Sequence, residues 1–119
     1  MPVVQLRIRP NQLLEQLVIS LLQALPEIVA PQLTISDRPD GHITAEDIII
    51  HFSHGSNMDI NAQDIEIIIL AHDFPERRVN LEERTQKILE GMRRFLADYD
   101  CNPTGYVWIL LVPTAFRKL

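Results

Sequence analysis

One cysteine stands in 119 residues, Cys101. No internal disulfide can form from it, so a reducing compartment, the cytosol, is the expected home. Positive charge is also short, with 11 Lys and Arg against 16 Asp and Glu and a net charge of −5. A general nucleic-acid binder carries a basic face, and this balance argues against that class. No unbroken apolar run reaches the roughly 18 residues a bilayer span needs, and no signal-peptide pattern precedes a cleavage site. Neither a membrane nor nucleic acid is therefore an expected partner. Low-complexity tracts are absent, and the eight prolines are scattered as punctuation rather than gathered into a linker. What remains is 46% apolar and 23% charged, ordinary for a single globular domain over 1–119 with one core.

The chain opens "MPVVQLRIR", in which Val4, Leu6 and Ile8 alternate with Gln5, Arg7 and Arg9. That period of two predicts a strand from Val3 to Arg9 with two unlike faces, and Pro2 is tolerable as its first residue. Pro10 ends the strand and Asn11 is an N-cap candidate. Leu13, Leu14, Leu17, Val18, Leu21, Leu22 and Leu25 then follow at helical spacing. Pro26 is expected to end or kink this helix near Leu25, with a last turn from Glu27 to Ala30. A turn-rich stretch from Pro31 to His42 contains "DRPDG". "EDIIIHF" reads as a second strand, "SHGSNMDINAQ" as a loop, "DIEIIILAH" as a third strand and "HDFPERR" as a connection. Asn80 with Glu83 resembles a capping box ahead of a second helix carrying Leu81, Ile88, Leu89, Met92, Phe95 and Leu96 on one face. After "DCNPTG", "YVWILLV" is a fourth strand ending at Pro113.

The order is β-α-β-β-α-β, an α+β fold of two β-α-β units, about 1–55 and 56–119. Each unit suggests a right-handed crossover, and the two helices can cover only one face of the four-stranded sheet. Yet "DIIIHF", "IEIIIL" and "YVWILLV" are apolar almost throughout, as in strands buried on both faces. The expected cover for the second face is another copy of the chain.

A β-α-β-β-α-β chain of this length that starts Met-Pro resembles the tautomerase superfamily, the group of macrophage migration inhibitory factor and the hydroxymuconate isomerases. "RRVNLEERTQKI" looks like the Arg-x-Leu-Glu-x-Arg start of the second helix in the isomerases, with one residue inserted. "VWILLVPTAF" is similar to the last strand of an uncharacterised bacterial branch. The resemblance implies a homotrimer whose three sheets form a central barrel with the helices outside. It also implies proton transfer next to a carbonyl on a small keto or enol carboxylic acid, with the N-terminal proline as base and no cofactor. Carried onto this sequence, that base is Pro2, freed by removal of Met1. An α-amine has a pKa of about 7.7–8.0, and burial or nearby cations push it down toward an uncharged, proton-accepting state.

Arginines near such an amine would lower its basicity and hold a substrate carboxylate by a two-pronged fork. The candidates are Arg78, which matches the isomerase-type motif best, and Arg77, Arg7, Arg9 and Arg38. Gln12 and Asp47 stand where the small oxalocrotonate-type members carry arginines, so that subgroup's anchors are not carried over. Solvated charge is the bland account of Arg7 and Arg9, and a solvated loop that of Arg77 and Arg78. Tyr106, Trp108 and His72 could wall a pocket between subunits, although core or interface packing explains the aromatics equally well. His51, His54 and His72 lack any recognised metal spacing, and no metal site is expected. Cys101 lies among carboxylates rather than cations, which suits an incidental cysteine rather than a nucleophile. The competing function is a non-catalytic trimeric binding or structural protein on the same scaffold.

Overall fold

A computed structural model describes all residues from Met1 to Leu119. Strand β1 spans Val3–Ile8, helix α1 Glu15–Leu33, β2 Ile49–His54, β3 Ile65–His72, the one-turn helix α2 Pro75–Arg78, helix α3 Leu81–Ala97 and β4 Gly105–Val112. Short 3-10 turns at Pro39–Gly41 and Ala45–Asp47 lie between α1 and β2. The four strands form one sheet in the order β2-β1-β3-β4. β1 runs parallel to β2, β3 parallel to β4, and the two pairs meet antiparallel along β1 and β3. This is the α+β arrangement of two β-α-β units.

Alternation decides the two faces. Val4, Leu6 and Ile8 on β1 and Ile65, Ile67, Ile69 and Ala71 on β3 are buried in one cluster. The same cluster holds Leu21, Leu25, Val29 and Leu33 of α1 and Ile88, Met92 and Leu96 of α3, so both helices cover this face. Each aliphatic side chain so buried contributes about 1.5–3 kcal/mol. Gly91 permits the close approach of the helices, since a Cβ there would lie 2.8 Å from Cγ2 of Ile28.

The other face is open. Its apolar residues, among them Val3, Ile49, Ile68, Leu70 and Leu110, are only half-buried, and Trp108 is 56% exposed. The apolar runs in β2, β3 and β4 are thus covered on one side by the chain's own helices.

Three local expectations are overturned. Asn11 does not cap α1: its φ is 60°, a left-handed turn conformation that asparagine tolerates, and the helix begins four residues later behind Leu14. Pro26 does not end α1, which continues through both Pro26 and Pro31 to Leu33. Burial of Val29, Ala30 and Leu33 against the sheet outweighs the backbone bonds the prolines forgo. Asn80 does occupy the N-cap of α3, but its side chain makes no cap bond and accepts from Arg84 Nε at 2.6 Å instead. A capping box forms elsewhere, where Asp47 reaches back to Thr44 N–H at 2.8 Å. Glu46 and Asp47 therefore belong to a turn, and β2 starts only at Ile49.

α1 is also the one helix whose length and mean hydropathy of 1.2 would suit a bilayer. Glu15 and Glu27 interrupt it, and its apolar stripe forms part of the core.

Candidate active site

Pro2 sits buried at the start of β1, and its carbonyl accepts from Ile49 N–H at 3.0 Å. A proline has no N–H to give a sheet, so only its carbonyl is used. The antiparallel register pairs Val3 with Leu70, so Pro2 lies beside the last residues of β3. The start of β1, the start of β2 and the ends of β3 and β4 therefore share one end of the sheet.

Two segments bring cations to this end: the turn after α1, with Arg38, and the connection after β3, with Arg77 and Arg78. Phe74 joins them. The Arg38 guanidinium lies over its ring at 4.4 Å from the centroid, and that of Arg77 is 5.1 Å away. The His72 ring meets Phe74 edge-on at 4.4 Å, and its Nδ1 is 2.6 Å from Thr114 Oγ1. The histidine is thereby oriented by a residue beyond the last strand.

The three arginines are held differently. Arg77 is 2% exposed and donates from Nε to the Leu33 carbonyl at 2.9 Å and from Nη1 to the His72 carbonyl at 3.0 Å. Burial, and then the charge of Arg84, lower its pKa from the ordinary arginine value. Arg78 is exposed, with Nε 2.8 Å from Asp73 Oδ1. That contact is an ion pair without hydrogen-bond alignment, and the buried oxygen has no donor of its own. Arg38 has two loose partners, Asp40 on Nε and Glu76 on Nη1, each at 3.3 Å. Burial works against its charge, but bonds to Glu76 and Asp40 prevail and raise its pKa.

Arg84, which the helical pattern predicts to stay outside with Glu82, Lys87 and Arg94, is instead half-buried against the end of α1. Its Nη1 donates to the carbonyls of Gln32 at 2.7 Å and Thr34 at 3.1 Å. Together with Arg77 it supplies cations to the C-terminal end of α1, whose last turn contains no basic residue of its own. Of the motif "RRVNLEER", the first and last arginines fasten one half of the chain to the other. The signal available in the sequence was that missing cation.

Arg7 and Arg9 lie elsewhere. Arg7 stands five residues along β1 from Pro2, about 16 Å at ~3.3 Å per residue. Its Nη2 bonds Asp59 at 2.7 Å, and Arg9 approaches Asp64 at 4.0 Å. Tyr106 faces the same far end across from Glu66, where burial first and then Glu66 raise its pKa. Trp108 lies midway along β4 on the open face. His51 is also on that face, His54 packs edge-on to Phe52 at 4.9 Å, and no three His, Cys, Asp or Glu residues gather as metal ligands. A cavity of about 690 Å³ bounded by Ile65, Met92, Leu96, Cys101 and Tyr106 is at the end of the sheet away from Pro2.

No protein-family model matches the sequence, and no curated protein matches it either. Solved structures do match its shape. A fused 4-OT asymmetric trimer superposes with a TM-score of 0.62 at 15% identity, over 98% of this chain and 91% of that one. Malonate semialdehyde decarboxylase gives 0.60 at 12% identity, over 95% and 84%. MIF2 of Leishmania major gives 0.56 at 14% identity, over 98% and 93%. The chain has the tautomerase fold. At this level of identity the likeness is one of scaffold, and a scaffold alone does not fix the chemistry carried on it.

Proposed function

We propose that this chain is a tautomerase-type proton-transfer enzyme acting on a small keto or enol carboxylic acid. Removal of Met1 would leave Pro2 with a secondary amine at the strand end, fixed by its carbonyl bond to Ile49 and flanked by the segments that hold Arg38, Arg77 and Arg78. Those cations and the buried setting favour the uncharged amine. Such an amine takes a proton from the carbon beside the carbonyl and returns it at the next position, a step general base catalysis speeds by about 10²–10⁴-fold. The substrate carboxylate would be held by an arginine of this end, and the His72 ring and Phe74 would wall the site. No cofactor enters this scheme. The observation that carries the proposal is the buried position of Pro2 at the end of the sheet where these arginines collect.

A homotrimer completes the reading. The open face keeps Val3, Ile49, Ile68, Leu70, Leu110 and Trp108 partly exposed, which favours burial against further copies. The fused 4-OT structures are trimers on the same fold. The barrel that three sheets would make brings Tyr106 and Trp108 of one copy toward a neighbour. Cys101, single and half-buried, suits a cytosolic setting.

Intact mass identifies chains without Met1, and their rates on phenylpyruvate and 2-hydroxymuconate are compared with those of Pro2→Ala. A fall of about 10²-fold or more is expected. Equal rates would leave the non-catalytic trimeric binding protein as the better account.

A further inference from the structure

Among the arginines at the Pro2 end of the sheet, only Arg38 is both stacked on a ring and held by two long carboxylate contacts. Arg77 has spent its donors on two backbone carbonyls and is buried. Arg78 is exposed beside Asp73 at 2.8 Å, and only Arg38 and Arg77 lie over an aromatic ring. The Arg38 guanidinium lies over the Phe74 ring, 4.4 Å from its centroid. Its two protein partners are each 3.3 Å away, and they are different residues, Asp40 on Nε and Glu76 on Nη1. Neither carboxylate makes the paired short bonds, about 2.7–2.9 Å, that a guanidinium fork forms with one well-placed carboxylate. Exposed pairs of this kind contribute little and are readily exchanged.

We propose that Glu76 stands in for the ligand's carboxylate on Arg38, and that a bound monocarboxylate displaces it and takes the fork in a two-pronged grip. Arg38 then determines that the site selects an anion, and Glu76 sets how tightly. Glu76 is the residue suited to leave: it begins the one-turn helix α2 beside Pro75 and makes no other side-chain bond. Asp40, two residues from Arg38 in its own turn, remains as the counter-charge on Nε. The opposing costs are clear. Removing Glu76 frees a cation, whereas removing Arg38 leaves two carboxylates repelling an incoming third.

This proposal relies on the proton-transfer reading for the location of the site, but its test needs no turnover. Phenylacetate, which has a carboxylate and no keto group, is titrated into the whole protein and followed by NMR shifts, with phenylacetamide as the uncharged control. Glu76→Gln should tighten phenylacetate binding about 2–5-fold, as removal of one competing exposed charge implies. Arg38→Gln should weaken it about 10-fold or more, and the double variant should bind like Arg38→Gln alone. Phenylacetamide should respond to neither change. Glu76→Gln with unchanged or weaker phenylacetate binding, or an equal gain for the amide, would overturn the proposal. Both side chains are partly exposed, and Asp40→Asn serves as the second variant, expected to tighten binding less than Glu76→Gln because Asp40 stays in place when the ligand binds. Were Pro2→Ala to keep full turnover while Glu76→Gln tightened phenylacetate, the catalytic reading would fail and the displacement would stand.

Discussion

Arg77 Nη1 donates to the carbonyl of His72, five residues earlier, at 3.0 Å, and this bond closes the connection that follows β3. Its Nε reaches across to Leu33 at the end of α1 at 2.9 Å. One buried guanidinium thus joins the two β-α-β halves. Arg77→Met keeps much of the bulk and removes both bonds, leaving two carbonyls without donors. A loss of about 2–3 kcal/mol is expected, because hydrogen bonds to a charged group are worth roughly 1.5–3 kcal/mol and stranded acceptors add to it. Urea denaturation measures it, and a loss below ~0.5 kcal/mol would mean the cation is dispensable.

Arg77 also marks where the sequence became hard to read. The succession of strands and of the two long helices along the chain was legible because hydrophobic period is a strong local signal: the alternation in "VVQLRI" and the stripe in α3 each specify an element unaided. The role of an arginine is not local. Arg77 and Arg78 are adjacent and alike in sequence, yet one is buried on backbone carbonyls and the other exposed beside Asp73. Only the position of α1's last turn separates them. Pro26 and Pro31 misled for a related reason, since a proline's local cost was offset by burial of Val29 and Leu33 in contacts distant along the chain. Asn11 offered two roles, cap or left-handed turn, and local pattern could not choose between them.

Gly105 opens β4 tight against the neighbouring strand. A Cβ there would overlap the carbonyl oxygen of Ile65, and backbone held in a ladder cannot swing aside as a side chain can. Gly105→Ala should lose about 1–3 kcal/mol, in the range of other overpacking changes. A thermal midpoint equal to that of the parent would contradict this.

Acid should loosen the segment between β2 and β3. Asp59 accepts from Ser56 N–H at 2.9 Å and from Arg7 at 2.7 Å, and in that order these hold its carboxyl below the ordinary value. A carboxyl depressed on folding adds stability in full above its unfolded value, about 3.9, and loses it as pH falls through the folded value. The stability gap between parent and Asp59→Asn should therefore be widest near neutrality and close as pH drops below about 4. Urea midpoints across pH 2–7 read this directly, and a gap constant over that span would refute it.

Trp108 tests the open face. Its side chain is 56% exposed in the single chain and contributes to neither the helix-side core nor the Arg38 cluster. In the proposed trimer, Trp108→Asp should leave far-UV circular dichroism intact while light scattering reports a fall to monomer, since a carboxylate at a packed contact carries a desolvation cost. A trimer of unchanged mass would place the contact elsewhere.

The sheet asks of Pro2 only a carbonyl oxygen; its nitrogen takes part in no ladder bond. A residue ahead of that nitrogen therefore costs the sheet no hydrogen bond. A purification tag fused ahead of Met1 would leave the strand ladder intact and the nitrogen locked in an amide. Ordinary quality control would pass such a sample, and a negative assay on it would say nothing about the processed chain.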